Sequence, residues 1–576
     1  MYPDTIFNWH DQSEIIRQEQ TVVVVDDAPL FMQVFSADKG TEDLVEISGD
    51  DFTAMYGTMS FSRHGQSAIQ AKRIIDAGGK LYAKRVVAKD STLANVVLCA
   101  EVTEGEDGVT VKWTSQSISG CKTFEDVVKA AEALYVENSV YPLFIYTDNG
   151  RGLSNKSIRL NPDYNTSKTI GATLYTLVVY EGSKIIEQTT ISLDPAVIYA
   201  NTAYHLDKYT NVQISGIVPE DIYEKYLEFM SNTLAIEPEV MRTYDIVYGY
   251  TNAGSTLEGF TMDQESVDLD AENGITLSEG SNGSFGAAPA GSDAWAEAIA
   301  DVFYGNFSNE VWDVYAHKIA LICDANYPDS VKQAIFEFVE FRKDCCYLRD
   351  YGVGLKTFIE ISAAHDKYLE QHNYFTADYA SSYIVKDPET KKNIEVTMLY
   401  DMAPLMVNHI AKNPYAPMAG TANGFILSEA IKGTVNFTPV NTKKINYKDA
   451  IDKLRVNYCV FEDDNCVSQL CYSSQDKYSQ LSFINNTIAI QRVLRAVRTA
   501  CPKQRYTLST TNDLTNYAKA VNDVLANFVT NFAVLNFVYT QDKLKASQKI
   551  FYASIEFAFL NWAQTEIFDV YAINND

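Results

Sequence analysis

The stretch GQSAIQAKRIIDAGGKLYAKRVVA, Gly65 to Ala88, decides the fold. Ile69, Ile74 and Ile75 mark a helix, and Gly78-Gly79 stops it, because glycine accepts the left-handed backbone that commonly ends a helix. Leu81 to Val87 then reads as a strand. Upstream, EISGDDFTAMYG leads into this helix, and TVVVVDDAPLFMQVFSADKG gives a short β-branched run followed by turn residues, a buried strand and loop. Strand, helix, strand is the repeating unit of an α/β sheet.

Moving outward, the character changes between about Ser91 and Glu237. VVLCAEV, VTVKW, YPLFIYT, SIRLN, TLYTLVVYEG and IIEQTTISL are short strands split by Gly, Asn and Asp, with one helix at Thr123 to Glu137 and a hairpin turn at Gly182. This segment reads as an inserted β domain. From Glu239 to about Leu427 helices and strands alternate again. HKIALICDANYPDS is a strand ending on an acidic loop, and SVKQAIFEFVEFRKDCCYL is a helix with Val331, Ile335, Phe338 and Val339 on one stripe. LSEGSNGSFGAAPAGSDAW is a loop entering a helix near Asp293.

Past about residue 428 come a helix at Tyr447 to Leu454, a strand in NYCVFED, a long helix from Asn485 to Ala500 closed by Pro502, a helix from Asp513 and the strand QKIFYASIEFAFL. The predicted architecture is a mixed α/β and β multidomain chain. It has an N-terminal arm (1–20), an α/β middle domain (21–90 plus 239–427) and an inserted β-rich outer domain (91–238), then an α+β C-terminal domain (428–563) and a C-terminal arm (564–576).

A chain of 576 residues is too long for one core, and its 46% hydrophobic content is globular. Tyrosine, at 37 copies against 28 of phenylalanine, favours half-wet surfaces such as subunit contacts. A net charge of −28 repels phosphate backbones, so direct nucleic-acid binding is not expected. The opening MYPDTIFNWHDQSE has neither the basic nor the apolar region of a secretory signal. The apolar run VLANFVTNFAVLNFVYTQ is interrupted by Asn527, Asn531 and Asn536, so it reads as a buried helix or a helix running into a strand, with no membrane insertion. Nine cysteines without framework spacing suit buried thiols in a reducing cytosol.

No catalytic constellation emerges. The seven histidines (His10, His64, His205, His317, His365, His372, His409) are scattered, GVGLKT lacks the core of a phosphate-binding loop, and no nucleophile elbow is present. No cofactor is implied. DLDAENGITLSE sets Asp268, Asp270, Glu272 and Glu279 at positions 1, 3, 5 and 12 of a calcium-loop pattern, but the required glycine is displaced to Gly274, leaving a weak calcium candidate and otherwise no metal site. IAIQRVLRAVRTACPKQRY carries Arg492, Arg495 and Arg498 along one helical side, and KLKASQK adds Lys543, Lys545 and Lys549. Such a stripe is either a solvated face paired with the chain's own acids or a dock for an acidic partner.

In TEIFDVYAIN, Phe568, Val570 and Ala572 alternate with Ile567, Asp569, Tyr571 and Ile573. This strand either closes the chain's own sheet or is lent to a neighbour.

Taken in order, these pieces resemble the contractile tail sheath family of bacteriophages, related to sheaths of contractile bacteriocins and secretion machines. The likeness is carried by EISGDDFTAMYG, DAGGKLYAKRV, GRGLSNKSIRL with YTLVVYEGSKIIEQTTISLDP, ITLSEGSNGSFGAAPAGSDAWAEAI, NPYAPMAGTANGFI and IEFAFLNWAQTEIFDVYAI. Between about 484 and 512 the chain departs from the family pattern, keeping only Val497-Arg498-Thr499 of an expected strand and basic helix.

The resemblance implies a structural subunit, not an enzyme, that polymerises as hexameric rings stacked helically around an inner tail tube. Baseplate and tail terminator proteins lie at the ends of the stack. Contraction drives the tube through a bacterial envelope for genome delivery, in a virion tail assembled in the host cytoplasm. It also implies that both chain ends are arms adding strands to neighbouring copies: Thr5, Ile6, Phe7 and Trp9 at one end, and Ile567, Phe568, Val570, Tyr571 and Ile573 at the other. The arginine stripe and Lys543, Lys545 and Lys549 become candidates to face the tube. A bacteriocin or secretion sheath, a capsid-like shell and a calcium-dependent hydrolase are the rival readings.

Overall fold

A computed structural model describes residues 30–49, 51–105, 108–138, 140–148, 150–162, 174–192, 204–205, 212–214, 256–257, 260–262, 274–304, 310–314, 316–413, 415–434, 453–462, 465–500, 511–539 and 553–560. The fold is mixed α/β with several sheets.

At its centre stands a six-stranded sheet in the order Thr376–Tyr379, Cys346–Asp350, Leu321–Cys323, Leu30–Phe35, Lys80–Arg85, Leu44–Ile47. The first five are parallel, and Leu44–Ile47 runs antiparallel at the edge. Strands before and after the long insertion therefore meet side by side, Phe31 opposite Leu321.

Both faces of this sheet are covered, and its side chains alternate between two cores. Phe31, Phe35, Leu81, Leu321, Cys346 and Leu348 point into one core, which the helices Phe61–Asp76 and Leu399–Lys412 complete. Met32, Val34, Tyr82, Ile322 and Tyr347 point into the other, under the helices Asp293–Phe303 and Asp329–Arg342. Each large apolar side chain so removed from water contributes about 1.5–3 kcal/mol. The stripe Val331, Ile335, Phe338 and Val339 is fully buried, as its spacing predicts.

Local signals account for the boundaries. Ser60 caps the helix Phe61–Asp76 by accepting from the Arg63 N–H, and Gly78 beyond its end has φ +84°. Ser292 caps Asp293–Phe303 in the same way. Two expectations are corrected. The central strand is Leu30–Phe35, in the span read as a loop, whereas Val22 to Val25 lie outside the described residues. Cys346-Tyr347-Leu348 do not continue the preceding helix: Lys343 adopts a left-handed backbone, φ +57°, that ends it, and a strand follows. The helix expected at Tyr447 to Leu454 lies almost wholly outside the described residues.

The insertion forms a seven-stranded sheet built around Asn95–Gly105, Gly108–Gln116 and Val140–Asp148, with the helix Phe124–Asn138 packed on it. A four-stranded sheet comprises Ile275–Thr276, Lys156–Pro162, Leu174–Glu181 and Lys184–Ser192, the last two joined at Gly182 with φ +60°.

The main core extends past residue 427: Cys459, Cys466, Cys471, Ile484 and Ile488 pack in it. A separate core then gathers Ile490, Val493, Val521, Leu525, Phe528, Phe532, Leu535 and Phe559. The single helix Ile484–Ala500 spans both, its first turn in the main core and the remainder in the second.

Candidate assembly site

The second core supports a two-stranded antiparallel ribbon, Phe532–Tyr539 paired with Ala553–Phe559. The helix run that continues into a strand, one of two readings of VLANFVTNFAVLNFVYTQ, is what forms here: Thr511–Ala526, a short turn, then Phe532–Tyr539. One ribbon face, Phe532, Leu535, Phe537, Ile555, Phe557 and Phe559, lies on the helices. Val534 and Val538, 42% and 40% exposed, lie on the other, and Leu560 just beyond is 56% exposed. Isolated two-stranded ribbons are marginal in water, so helix packing is what holds this one.

Among the described residues the ribbon is a sheet of two strands. The central sheet is different. Its Leu44 edge is blunted by Glu310, whose carboxylate accepts from the Leu44 N–H at 3.0 Å and from Lys84 Nζ at 3.0 Å. Its Thr376 edge is sealed by backbone: Asn457 N–H donates to Asp378 O at 2.8 Å, Ala380 N–H to Asn457 O at 2.9 Å and Ser474 N–H to Thr376 O at 2.7 Å. An open edge is a template for another strand, and the ribbon is one of several sheets that end, among the described residues, on strands with a single neighbour.

Among the described residues the enzyme reading has a natural location to test. In an open α/β sheet ligands bind beyond the carboxyl ends of the strands, where the strand order reverses, here between Leu30–Phe35 and Leu321–Cys323. Buried side chains fill that crevice. Thr397, Gln66, Gln70, Gln33 and Tyr327 form a continuous hydrogen-bonded chain, with Gln66 Nε2 2.8 Å from Thr397 Oγ1 and Gln33 Nε2 2.6 Å from Tyr327 Oη. His64 is spent as well. Its Nδ1 accepts from the Ser60 N–H at 3.2 Å, which leaves Nε2 to donate to Asp38 at 3.1 Å, so neither nitrogen has a free lone pair for base chemistry. Burial raises the Asp38 pKa, but His64 and Arg63 outweigh it and hold the carboxyl below its ordinary value.

Next to the crevice, Lys332 Nζ lies 2.7 Å from both Asp324 Oδ2 and Asp350 Oδ1, all three side chains at most 3% exposed. Tyr347 donates to Asp324 Oδ2 at 2.6 Å, and backbone N–H groups of Ala325, Tyr327, Asn326 and Gly352 occupy the other carboxylate positions. Two carboxylates share one ammonium. Burial, then Asp350, push Asp324 up to about 6 against the pull of Lys332. Lys332 moves upward because the two acids outweigh its burial. The cluster is saturated with internal partners, a brace between the ends of the strands Leu321–Cys323 and Cys346–Asp350 and the helix Asp329–Arg342. Among the described residues no group of three His, Cys, Asp or Glu side chains could hold a metal.

Two arginines of the stripe bind Asp344. Arg495 donates to the Asp344 backbone oxygen at 2.8 Å and Arg498 to Asp344 Oδ2 at 3.1 Å. Asp344 also receives Arg342, at 2.8 and 3.0 Å. The stripe thus straps the helix Ile484–Ala500 to the end of Asp329–Arg342. Of the two open readings, pairing with one of the chain's own acids is what Arg498 does, while Arg495 holds a backbone carbonyl. Arg492 is half-buried on the same helix.

The remaining candidates lie outside the described residues: Thr5, Ile6, Phe7 and Trp9; Ile567, Phe568, Val570, Tyr571 and Ile573; Lys543, Lys545 and Lys549; and Asp268, Asp270 and Glu272. Glu279 is described, exposed and at φ +67°, its carbonyl accepting from Thr92 Oγ1.

Sequence reading missed Asp344, Lys332 and the ribbon edges. For Lys332 a signal existed: a cation at helical spacing with Ile335 and Val339 lies on the apolar side. The link from Asp344 to Arg498 had none, since the two are 154 residues apart.

No family model matches the chain, and no curated protein does. Among solved structures it is similar to the sheath tail protein of Listeria innocua, at 9% identity over 88% of each chain with a TM-score of 0.48. It is similar to the sheath tail protein of Desulfitobacterium hafniense at 10% identity over 90% of each chain, TM-score 0.43. A third likeness is to the contracted helical sheath of the anti-feeding prophage, at 12% identity over 48% of this chain and 81% of that one, TM-score 0.35. At these values the likeness assigns no role to any residue.

Proposed function

We propose that the chain is the sheath subunit of a contractile injection apparatus, in the first place a bacteriophage tail. It polymerises as stacked hexameric rings around an inner tube, between baseplate and terminator proteins, and contracts to drive the tube through an envelope. The observation that carries this is the ribbon Phe532–Tyr539 and Ala553–Phe559, held on two helices with apolar Val534, Val538 and, just beyond, Leu560 exposed on its outward side, while the edges of the central sheet are closed. The residue order shared with tail sheaths supports the same reading, and Glu566 to Ile573 has the period-two alternation of a strand that could lie on such an edge.

Strand addition ties copies together through main-chain hydrogen bonds, which any rotation between bodies leaves intact if the linking segment bends. Head-to-tail contacts that do not close on themselves grow as a helix. A long polymer held by a kinetic barrier needs only a few kcal/mol per subunit to contract once one end is released. The block from 428 to 563 would face the tube, with Arg492, Lys543, Lys545 and Lys549 as basic candidates beside Arg495 and Arg498, which also hold Asp344.

Negative-stain microscopy of the purified full chain tests this. Hollow striated tubes are expected, and deletion of residues 564–576 should leave folded subunits that no longer polymerise. A protein that stays monomeric at every concentration, or tubes that survive the deletion unchanged, would overturn the reading.

A further inference from the structure

The insertion leaves the core after Lys80–Arg85 and returns before Asp293–Phe303. Its two stems are zipped together: Thr92 N–H donates to Ser281 O at 3.0 Å and Asn95 N–H to Ser278 O at 3.0 Å. Two stems side by side leave a hinge axis open, so a body attached only there would swing.

A third attachment ties the insertion to the core beside the stems. The loop between Val140–Asp148 and Lys156–Pro162 folds back over the first stem, where Gly152 N–H donates to Thr92 O at 2.9 Å, and onto the core. Its backbone touches the core backbone so closely that a Cβ on Gly150 would stand 1.9 Å from Gly40 O. Beneath this contact is Arg85, 1% exposed. Its Nε donates to Ala37 O at 3.1 Å, its Nη1 to Gly40 O at 2.6 Å and its Nη2 to Arg151 O at 2.5 Å. Two carbonyls belong to the core and one to the insertion, all gripped by one planar fork through charge-assisted bonds.

The surroundings reinforce the grip. Arg151 reaches back to Glu42 with Nε and Nη2 at 2.8 and 2.5 Å, and Lys39 pairs with Glu181 of the insertion's second sheet. Behind the loop the buried pair Lys156 and Asp148, 2.8 Å apart, fixes its base.

We infer that Arg85 is a positioning residue that locks the angle of the inserted β domain on the α/β core. The lock converts a two-stem hinge into a rigid joint, and it stands whether or not the chain polymerises. Any rearrangement between subunits then moves insertion and core together.

The test uses the full chain and the variants Arg85→Met, Arg85→Lys and Arg151→Ala, with hydrogen exchange by mass spectrometry and small-angle scattering. Arg85→Met should speed exchange at Gly152 and Leu153 by about tenfold or more and increase the radius of gyration, while Leu30–Phe35 stays protected. Arg85→Lys keeps the charge without the fork and should behave similarly. Arg151→Ala keeps the carbonyl that Arg85 holds and should fall between. Wild-type exchange and scattering in both Arg85 variants would overturn the inference. If Arg85→Met loses protection in Leu30–Phe35, Arg85→Lys decides: local loosening supports the lock, and wild-type behaviour refutes it.

Discussion

Replacing Lys332 with Met should separate a structural brace from a reactive centre at the carboxyl end of the central sheet. The substitution keeps an unbranched apolar stem, one atom shorter, and removes the ammonium between Asp324 and Asp350, each 2.7 Å from it. Breaking a buried ion pair by deleting one partner costs about 3–5 kcal/mol, because the surviving charge stays buried. Here two like charges survive, so the cost depends on pH. Asp324 sits at about 6 in the native chain, above its unfolded value, so the folded state keeps a proton that the unfolded state has lost. Its contribution to stability is therefore greatest below about pH 4 and declines as pH rises through about 6. Without Lys332 the pair must be held up further. The variant should lose the full amount at pH 8 and about 2 kcal/mol less at pH 5, where protonation relieves the repulsion. Urea titration at both pH values, with hydrogen exchange of Cys346–Asp350 to identify the transition, reads this out. A destabilisation below about 1 kcal/mol at pH 8, or the same value at both pH values, would refute the brace.

Two further outcomes follow from the buried groups. Asp344→Ala leaves Arg342 buried without its acid and frees Arg498, so the urea midpoint should fall by the equivalent of about 3 kcal/mol and exchange in the helix Ile484–Ala500 should quicken; Arg498→Ala, at an exposed position, should cost under about 1 kcal/mol. Equal effects would contradict the strap. Burial pushes Cys99 and Cys345 up to about 12 and Cys471 up to about 11. Native protein treated with iodoacetamide at pH 8 should therefore show none of its eight described cysteines alkylated by mass spectrometry until urea is added, and rapid native labelling of any of them would break the packing account.

Much of the fold was legible because amphipathic helices carry their own geometry. The Val331 stripe, the glycine stop after Asp76 and the Gly182 hairpin each depend on neighbours within a few residues. Leu30–Phe35 was hidden for the opposite reason: a parallel strand covered on both faces has no polar alternation, so Leu-Phe-Met-Gln-Val-Phe gives no period to read. The adjacent cysteines prolonged the apparent helix through a strand, since small apolar residues suit both. At the candidate site the basic stripe was visible but its partner was not, because spacing along Ile484–Ala500 says nothing about Asp344. The ribbon edges are likewise a property of tertiary pairing.

The most direct measurement is a cryo-electron microscopy structure of the polymer formed by the full chain, read at the ribbon Phe532–Tyr539 and Ala553–Phe559. Strands from other copies should be hydrogen-bonded along its outer edges, one of them containing Phe568 and Val570. A polymer in which both edges face solvent, or are covered by the same copy's own ends, would contradict the account.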